Sequence, residues 1–437
     1  MQNIPEPLNS RYIQAINKIN SSNFVRVLAH YDADGVTSAA IASKILILAK
    51  KNFQITFIKD LSAKNIESNL KTENCTYLLL DLGASLITLL EKYQNVIVLD
   101  HHPLEKDSEI IININPALIK MDGGKDACGA TLSFILAQYY DQSLFSLYPI
   151  YLAGMIADKQ DLDEYSGLNK ILINEIEKIN PSKFEFRFDG ITIKDMLLNA
   201  TEPYLTNISG NKDNIEKLLK SLGIGEEDTF ESLSEDKKIN LGSIITLKLI
   251  EQGANTDTIK NIFAKKFDVW DSNDRTISSI VNACSRSEKQ ALAMSYLLGD
   301  MKNIDEVNKI WNEYRNRLIN ELRRIEKDCK KLDFIQYFYS YEESLCGALS
   351  GIAMLYFLDQ NLVTVCMHSE DSEIHISARA TKLLIDRGID LGLSMSNAAK
   401  KVSGFGGGHK IAAGATIPKG KENEFLKLLD EDLKIDK

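Results

Sequence analysis

The stretch "VIVLDHHP" (96–103) decides how this sequence is read. Four consecutive apolar residues do not alternate with polar ones, so they describe a strand buried on both faces. The strand stops at Asp100, His101 and His102, and Pro103 cannot continue a ladder. A turn cap would explain Asp100. It leaves two adjacent imidazoles unexplained in a chain that has only six. The same design recurs on either side. "FVRVLA" (24–29) runs into "HYDADG" (30–35), "TYLLLD" (76–81) ends at Asp81, and the apolar segment "YLAGMIAD" (151–158) ends at Asp158. Helix-like stretches separate the strand-like ones, and this alternation predicts a parallel sheet with helices on both faces.

In such a sheet the carboxyl ends of all strands share one edge. Asp32, Asp34, Asp81, Asp100 and Asp158 therefore converge with His101 and His102, although they are distant in sequence. His30, two residues before Asp32, can reach the same place from its strand face. Crowded carboxylates repel unless a cation lies among them. A lone Asp at a strand end is more often a helix cap than a ligand. Four such ends, one carrying His-His, point instead to a metal centre. Oxygen ligands with one or two imidazoles suit Mn²⁺ or Mg²⁺ better than Zn²⁺, and two such ions form a clamp for phosphoryl transfer.

The chain has 437 residues, which predicts two or three domains. It is 44% hydrophobic and 26% charged, a globular composition. Its net charge of −10 argues against a general nucleic-acid coat. The six cysteines form no CxxC pair and predict reduced core residues rather than zinc ligands. No signal pattern and no run long enough for a membrane span occur, so a cytoplasmic protein is expected. The expected division is a first domain over 1–185, a helical insert or connecting region over 186–300, a long linker helix over 301–332 and a smaller α/β domain over 333–437. Apolar residues from Ile304 to Leu332 keep three- and four-residue spacing, which would span about 48 Å as one helix. Near the end, "GFGGGH" (404–409) offers bare amides to a phosphate or terminal nucleotide. Arg379 suits a bidentate phosphate contact, and 379–410 holds six basic against two acidic residues, the footprint of a nucleic-acid groove. His368 and His375 are expected to be ordinary surface or sheet residues.

"HYDADG", "LLLDLG", "VLDHHP" and "GMIAD" resemble the four ordered motifs of the DHH phosphoesterase superfamily. "NACSR" (282–286) is similar to a stretch of RecJ-type exonucleases, with Ser285 where those carry Gly. "SLCGALSGIAM", "ISAR" and "GFGGGHKIAAGAT" resemble the DHH-associated C-terminal domain. The resemblance implies a parallel-sheet DHH domain joined by a long helix to a smaller α/β domain. It implies two Mn²⁺ or Mg²⁺ ions on Asp32, Asp34, Asp81, His101 and Asp158, with Asp81 bridging, and His30 joins this metal set by its place on the same strand face as Asp32. Asp100 and His102 would serve catalysis. Arg286, Arg379, Gly406, Gly407, Gly408 and His409 would bind substrate. The implied activity is single-strand exonuclease action on DNA or RNA, releasing mononucleotides, in the manner of the archaeal branch. The GINS complex or another replication or repair protein is an implied partner, and a membrane is not. A short-oligonucleotide or cyclic-dinucleotide phosphodiesterase is the alternative, and a non-catalytic replication scaffold the lesser one.

Overall fold

The computed structural model describes residues 4–72, 74–162 and 164–434. The chain forms two compact units, one from 1–184 with 264–312, the other from 185–263 with 313–437. This differs from the expected linear division, because the segment 186–300 is shared between the units rather than forming one insert.

In the first unit, five strands lie in the order β2-β1-β3-β4-β5, all parallel. They are β1 (Phe24–His30), β2 (Asn52–Ile58), β3 (Thr76–Leu80), β4 (Val96–Leu99) and β5 (Ile112–Ile114). Every residue of β3 and β4 is buried, as their unbroken apolar runs require. The edge strand β5 has only three residues, too short to leave a periodic signal. Because β1 is followed by β2 on one side and β3 pairs on the other, a crevice opens at the carboxyl ends of β1 and β3.

One face of this sheet is packed by the helices Ala33–Leu48, Gly129–Tyr140 and Tyr148–Ala157. Ala33–Leu48 buries thirteen of its sixteen residues and shows no polar stripe, so it is a core helix rather than a surface one. Its alanines, with Gly129 and Gly154 opposite, let the three helices approach closely. Asp158 is the C-cap of Tyr148–Ala157, so it comes from a helix end and not from a strand. Three of the four acid-bearing segments are strands and the fourth is a helix, the element that the sequence of 144–158 also suggests.

In the second unit, a six-stranded mixed sheet runs Lys330–Lys331, Ile335–Tyr339, Val363–Glu370, Glu373–Arg379, Ala412–Pro418, Phe405–Gly408 in spatial order. Ile374, Ile376, Ala378, Ala413, Ala415 and Ile417 alternate toward a core closed by Leu391–Lys401 and Glu422–Asp432. The helix Glu343–Tyr356 lies against the opposite face, over Val363–Glu370 and Glu373–Arg379. The acidic segment 202–238 belongs to this unit.

The long helix is Ile304–Asp328, twenty-five residues instead of thirty-two. It ends where Lys330–Lys331 pairs with the strand Ile335–Tyr339, which leaves Leu332 outside the helical stripe and 37% exposed. Val307, Tyr314, Leu318, Leu322 and Ile325 are buried, as their spacing predicted. All six cysteines are unpaired and five are buried. Among the described residues no helix is long and apolar enough to cross a membrane.

Candidate active site

The site of the first unit is assembled from strand ends. Asp32 follows β1 and caps the helix Ala33–Leu48, its Oδ1 accepting from Gly35 N–H at 3.1 Å. Capping and site geometry therefore coexist in one residue, since Asp32 Oδ2 also lies 3.0 Å from His30 Nδ1. Asp34, in the first turn of that helix, is buried and accepts from the amides of Gly129 (2.6 Å) and Ala130 (2.8 Å). A Cβ on Gly129 would stand 2.8 Å from Asp34 Oδ2 and 2.9 Å from Asp81 Cβ, so only glycine fits between the two carboxylates. This requirement was readable in "CGAT" only once the partner was known.

Asp81 follows β3 with φ of 59°, a left-handed conformation that Asp tolerates better than most residues. Its side chain is 2% exposed and faces two imidazoles. Oδ2 lies 3.2 Å from His30 Nδ1, and Oδ1 lies 3.2 Å from His101 Nε2. Oδ1 nevertheless accepts no hydrogen bond. His101 Nδ1 sits 2.6 Å from the carbonyl of Gly123, which can only accept, so the proton is on Nδ1. The Nε2 edge therefore confronts Asp81, with Asp34 Oδ2 and Asp158 Oδ2 each at 3.9 Å. A lone pair facing three carboxylates is repulsive unless a positive charge stands there. An added proton or a metal ion meets that demand, and the donor set of hard oxygens and imidazoles fits a divalent cation. Among the described residues, three groups of side chains have ligand atoms close enough to hold one: Asp81, His101 and His102; His30, Asp32 and Asp81; Asp34, Cys128 and Asp158. Asp81 belongs to two of them. Cys128 was read as a plain core residue, and nothing in its spacing distinguished it.

The electrostatics record the same crowding. Burial, reinforced by the Asp81 and Asp158 carboxylates, pushes Asp34 well above the usual carboxylate range. Burial also lifts Asp158 to about 6, with His101 opposing and Asp81 adding to the rise. For His30, burial disfavours the charge, but hydrogen bonds to Asp32 and Asp81 outweigh it and raise the imidazole to about 11. Burial opposes a charge on His101 too, and Asp81, Asp158 and Asp34 together still carry it well above an ordinary imidazole. Burial would raise Asp32, yet His30 and then Arg286 hold it far below the normal range.

Asp100 and His102 form a pair beside this cluster. Asp100 is buried, takes Ala84 N–H on Oδ2 at 2.7 Å, and takes His102 Nδ1 on Oδ1 at 2.8 Å. That bond to Asp100, working against burial, raises the His102 pKa. The His102 ring stays 49% exposed. Arg286, at the end of the helix Asp274–Arg286, reaches the same edge, with Nη1 3.2 Å from the Tyr31 hydroxyl and its guanidinium 5.9 Å from the ring centre.

In the second unit a cavity of about 330 Å³ is lined by Glu343, Cys346, His375, Ser377, Phe405, Gly406, Gly407, Gly414 and Thr416 among others. Its floor is the cross-strand row Ser377, Gly414 and Gly407, residues with almost no side chain. Phe405 is 69% exposed at one end, in register with Thr416 and His375. Of the expected substrate residues, Gly406 and Gly407 line this cavity, while Gly408, His409 and Arg379 do not. His409 is exposed beyond the strand end. Arg379 closes the neighbouring strand and donates to the carbonyl of Ala378 at 3.0 Å. His375 lies in the sheet as expected and lines the cavity, and Phe405 is the lining position that sequence reasoning passed over. Period-2 alternation with the known core face would have placed both on the face opposite the core.

Residues 24–157 match the model of the DHH family, N-terminal domain, and residues 335–434 match that of the DHHA1 domain. The protein MJ0831 of Methanocaldococcus jannaschii is 30% identical over 435 residues, 94% of each chain. In structure the chain resembles exonuclease RecJ bound to manganese, with a TM-score of 0.62 at 16% identity over 98% of this chain and 95% of that one. It also resembles CDC45 from Entamoeba histolytica, with a TM-score of 0.68 at 12% identity over 98% of each. At these identities the two structures bear on the fold alone.

Proposed function

The chain belongs to the DHH family of phosphoesterases, and from that premise we propose that it is a metal-dependent exonuclease of single-stranded DNA or RNA that releases mononucleotides. The observation that supports this best is the ring of carboxylates around His101 Nε2. His30, Asp32, Asp34, Asp81, His101 and Asp158 would hold two Mn²⁺ or Mg²⁺ ions. Asp81 would be the ligand common to both, since its two oxygens face different imidazoles. When bound, such a pair supplies Lewis acidity to phosphate oxygens and a more acidic water.

The chain's own groups do the rest. Asp100 holds the Nδ1 proton of His102 and thereby presents the other ring nitrogen outward, in reach of a scissile phosphate or its leaving oxygen. Arg286, propped on Tyr31, keeps a fixed positive charge beside the cluster. The glycine floor of the second unit would seat one terminal nucleotide, with Phe405 as a stacking face and Arg379, Gly408 and His409 as contacts along the strand. These contacts address phosphates and base faces, which carry little sequence information.

The second reading is a phosphodiesterase for short oligonucleotides or cyclic dinucleotides, favoured by a cavity at the small end of ligand pockets. One experiment separates the two. End-labelled single-stranded DNA and RNA of two to twenty nucleotides are digested with Mn²⁺ or Mg²⁺ and the products resolved. Stepwise release of mononucleotides from the twenty-mer supports the exonuclease. Preference for the dinucleotide at equal concentration overturns it.

A replication or repair partner, GINS among them, would meet the acidic segment 202–238, which carries nine acidic against five basic residues. Lys194 pairs with Glu226 at 2.7 Å, and Asp228 Oδ2 accepts from Gly225 N–H, so Asp228 is part of its own turn. Reversing Glu226 and Glu227 alone is therefore the cleaner variant. Loss of partner capture with hydrolysis unchanged is expected, and capture equal to wild type returns the segment to a spacer.

A further inference from the structure

Gln160 lies two residues past Asp158, is only 2% exposed, and has every polar atom of its amide engaged. Its Nε2 is 2.8 Å from Asp158 Oδ2, 2.8 Å from the Gly123 carbonyl and 3.1 Å from the Ala127 carbonyl. Two of those partners are backbone carbonyls, which cannot donate, so the nitrogen must point this way. Its Oε1 accepts from Asn169 Nδ2 at 2.7 Å. Asn169 is fully buried, and its own oxygen takes the hydroxyls of Thr131 (2.7 Å) and Tyr151 (3.1 Å). The orientation of each amide is therefore dictated by its neighbour.

The Gly123 carbonyl receives a second donor, His101 Nδ1 at 2.6 Å. One backbone oxygen thus holds both the imidazole that faces the carboxylates and the amide that holds Asp158. Gly123 cannot carry a side chain, since a Cβ would fall 1.7 Å from the His101 carbonyl oxygen. A purely space-filling role would need none of these directed bonds.

We propose that Gln160, locked by Asn169, is a positioning residue of the metal centre that fixes the Asp158 carboxylate and, through Gly123, the ring orientation of His101. This rests on the metal-centre reading above. Partners that orient a ligand commonly set metal affinity by 10- to 100-fold. Asn169 acts one bond further out and should matter less.

The test is Mn²⁺ titration by calorimetry of the full chain, wild type against Gln160→Leu, Gln160→Asn and Asn169→Ser, each checked for folding by circular dichroism. Gln160→Leu is expected to weaken Mn²⁺ by about 10- to 100-fold. Gln160→Asn keeps the amide but is one methylene short, so it should fall between Leu and wild type. Hydrolysis measured alongside should lose kcat at saturating substrate with KM little changed. Folded Gln160→Leu that binds Mn²⁺ within twofold of wild type overturns the proposal. If Gln160→Leu does not fold, Gln160→Asn decides by the same twofold criterion. A wild-type chain that binds no Mn²⁺ removes the metal-centre reading itself, a different failure.

Discussion

Glycine does opposite work in the two units. In the first, Gly129 is wedged between Asp34 and Asp81, and a methyl group there would overlap both. In the second, Gly407 has nothing within 4 Å of where a Cβ would stand. The first glycine brings charged side chains together, and the second keeps a surface clear. The same contrast runs through the surroundings. Asp34, Asp100 and the Gln160–Asn169 pair are buried and hydrogen-bonded from several sides, and Asp81 is buried between two imidazoles, whereas Phe405 and His409 stand exposed. A centre that must hold repelling charges needs rigid, overdetermined support. On the proposed function, the second unit's surface would take any nucleotide, a task suited to bare backbone and an aromatic face. Substitutions in the first unit should therefore strike kcat and stability, and those in the second should strike KM.

The largest effect is expected at Asp81. Asp81→Asn preserves the left-handed backbone, which Asn adopts readily, and keeps the side-chain volume. It removes the charge shared by His30 and His101. Hydrolysis should fall by about 10³-fold or more, the scale of losing a main transition-state stabiliser, with the fold intact or firmer because carboxylate crowding is relieved. Activity near wild type at saturating Mn²⁺ would sink the bridging role, and with it the comparison.

Next in size is the buried pair Arg275 and Asp161, 2.5 Å apart and 4% and 1% exposed. Asp161 follows Gln160, so this pair anchors the turn carrying Asp158 and Gln160 to the helix Asp274–Arg286. Arg275→Met removes the guanidinium 2.5 Å from that buried carboxylate and should cost roughly 3–5 kcal/mol in urea unfolding. The double variant Arg275→Met with Asp161→Leu should recover much of that, since apolar replacement of a whole buried pair is often neutral. A single variant as stable as wild type would show that the first unit is less tightly determined than its geometry suggests.

A pH dependence sharpens the same point. Burial raises the Asp274 carboxyl to about 7 from an unfolded value of 3.8, with Arg275 only partly opposing. The folded state therefore keeps this proton through a range where the unfolded state has lost it. Its contribution to stability falls as pH rises from about 4 to about 7, by at most about 1.4 kcal/mol per pH unit, and is flat above. Asp274→Asn should remove that slope and gain stability relative to wild type at pH 8, measured by urea midpoints at pH 5 and 8. An unchanged slope in the variant would assign it elsewhere.

Much of this was readable beforehand, for a definite reason. Buried parallel strands announce themselves as unbroken apolar runs, and the residues that end them are fixed at one edge by topology, so Asp32, Asp81, Asp100, His101 and His102 could be placed together from order alone. Asp158 could be assigned to the cluster, and its segment 144–158 reads as a buried helix in the sequence, as the structure has it. Gln160, Asn169, Gly123 and Gly129 gave no signal. Their roles depend on which backbone carbonyl or carboxylate lies opposite, and one-dimensional periodicity does not encode that. Phe405 was missed for a related reason: whether a residue on the face away from the core lines a cavity depends on what covers that face, which is a property of the whole sheet. The division of 186–300 between the units likewise follows from packing, not composition.

The smallest effects should come from the glycine floor. Phe405→Ala removes an exposed ring from the cavity's end, so thermal stability should change by less than about 0.5 kcal/mol. If the ring stacks on a terminal base, binding should lose about 1–3 kcal/mol, seen as KM rising several-fold to about a hundredfold with kcat held. Phe405→Tyr should restore it, because stacking needs only the aromatic face. Gly407→Ala adds one methyl group to open space at a backbone angle that any residue can adopt, so the fold should not register it. The methyl would stand on the floor where a base would lie flat, and KM should rise there too. A KM insensitive to both Phe405→Ala and Gly407→Ala would take the cavity out of substrate binding. Loss of kcat at constant KM would place it in the chemical step, and the division of labour between the two units would not stand.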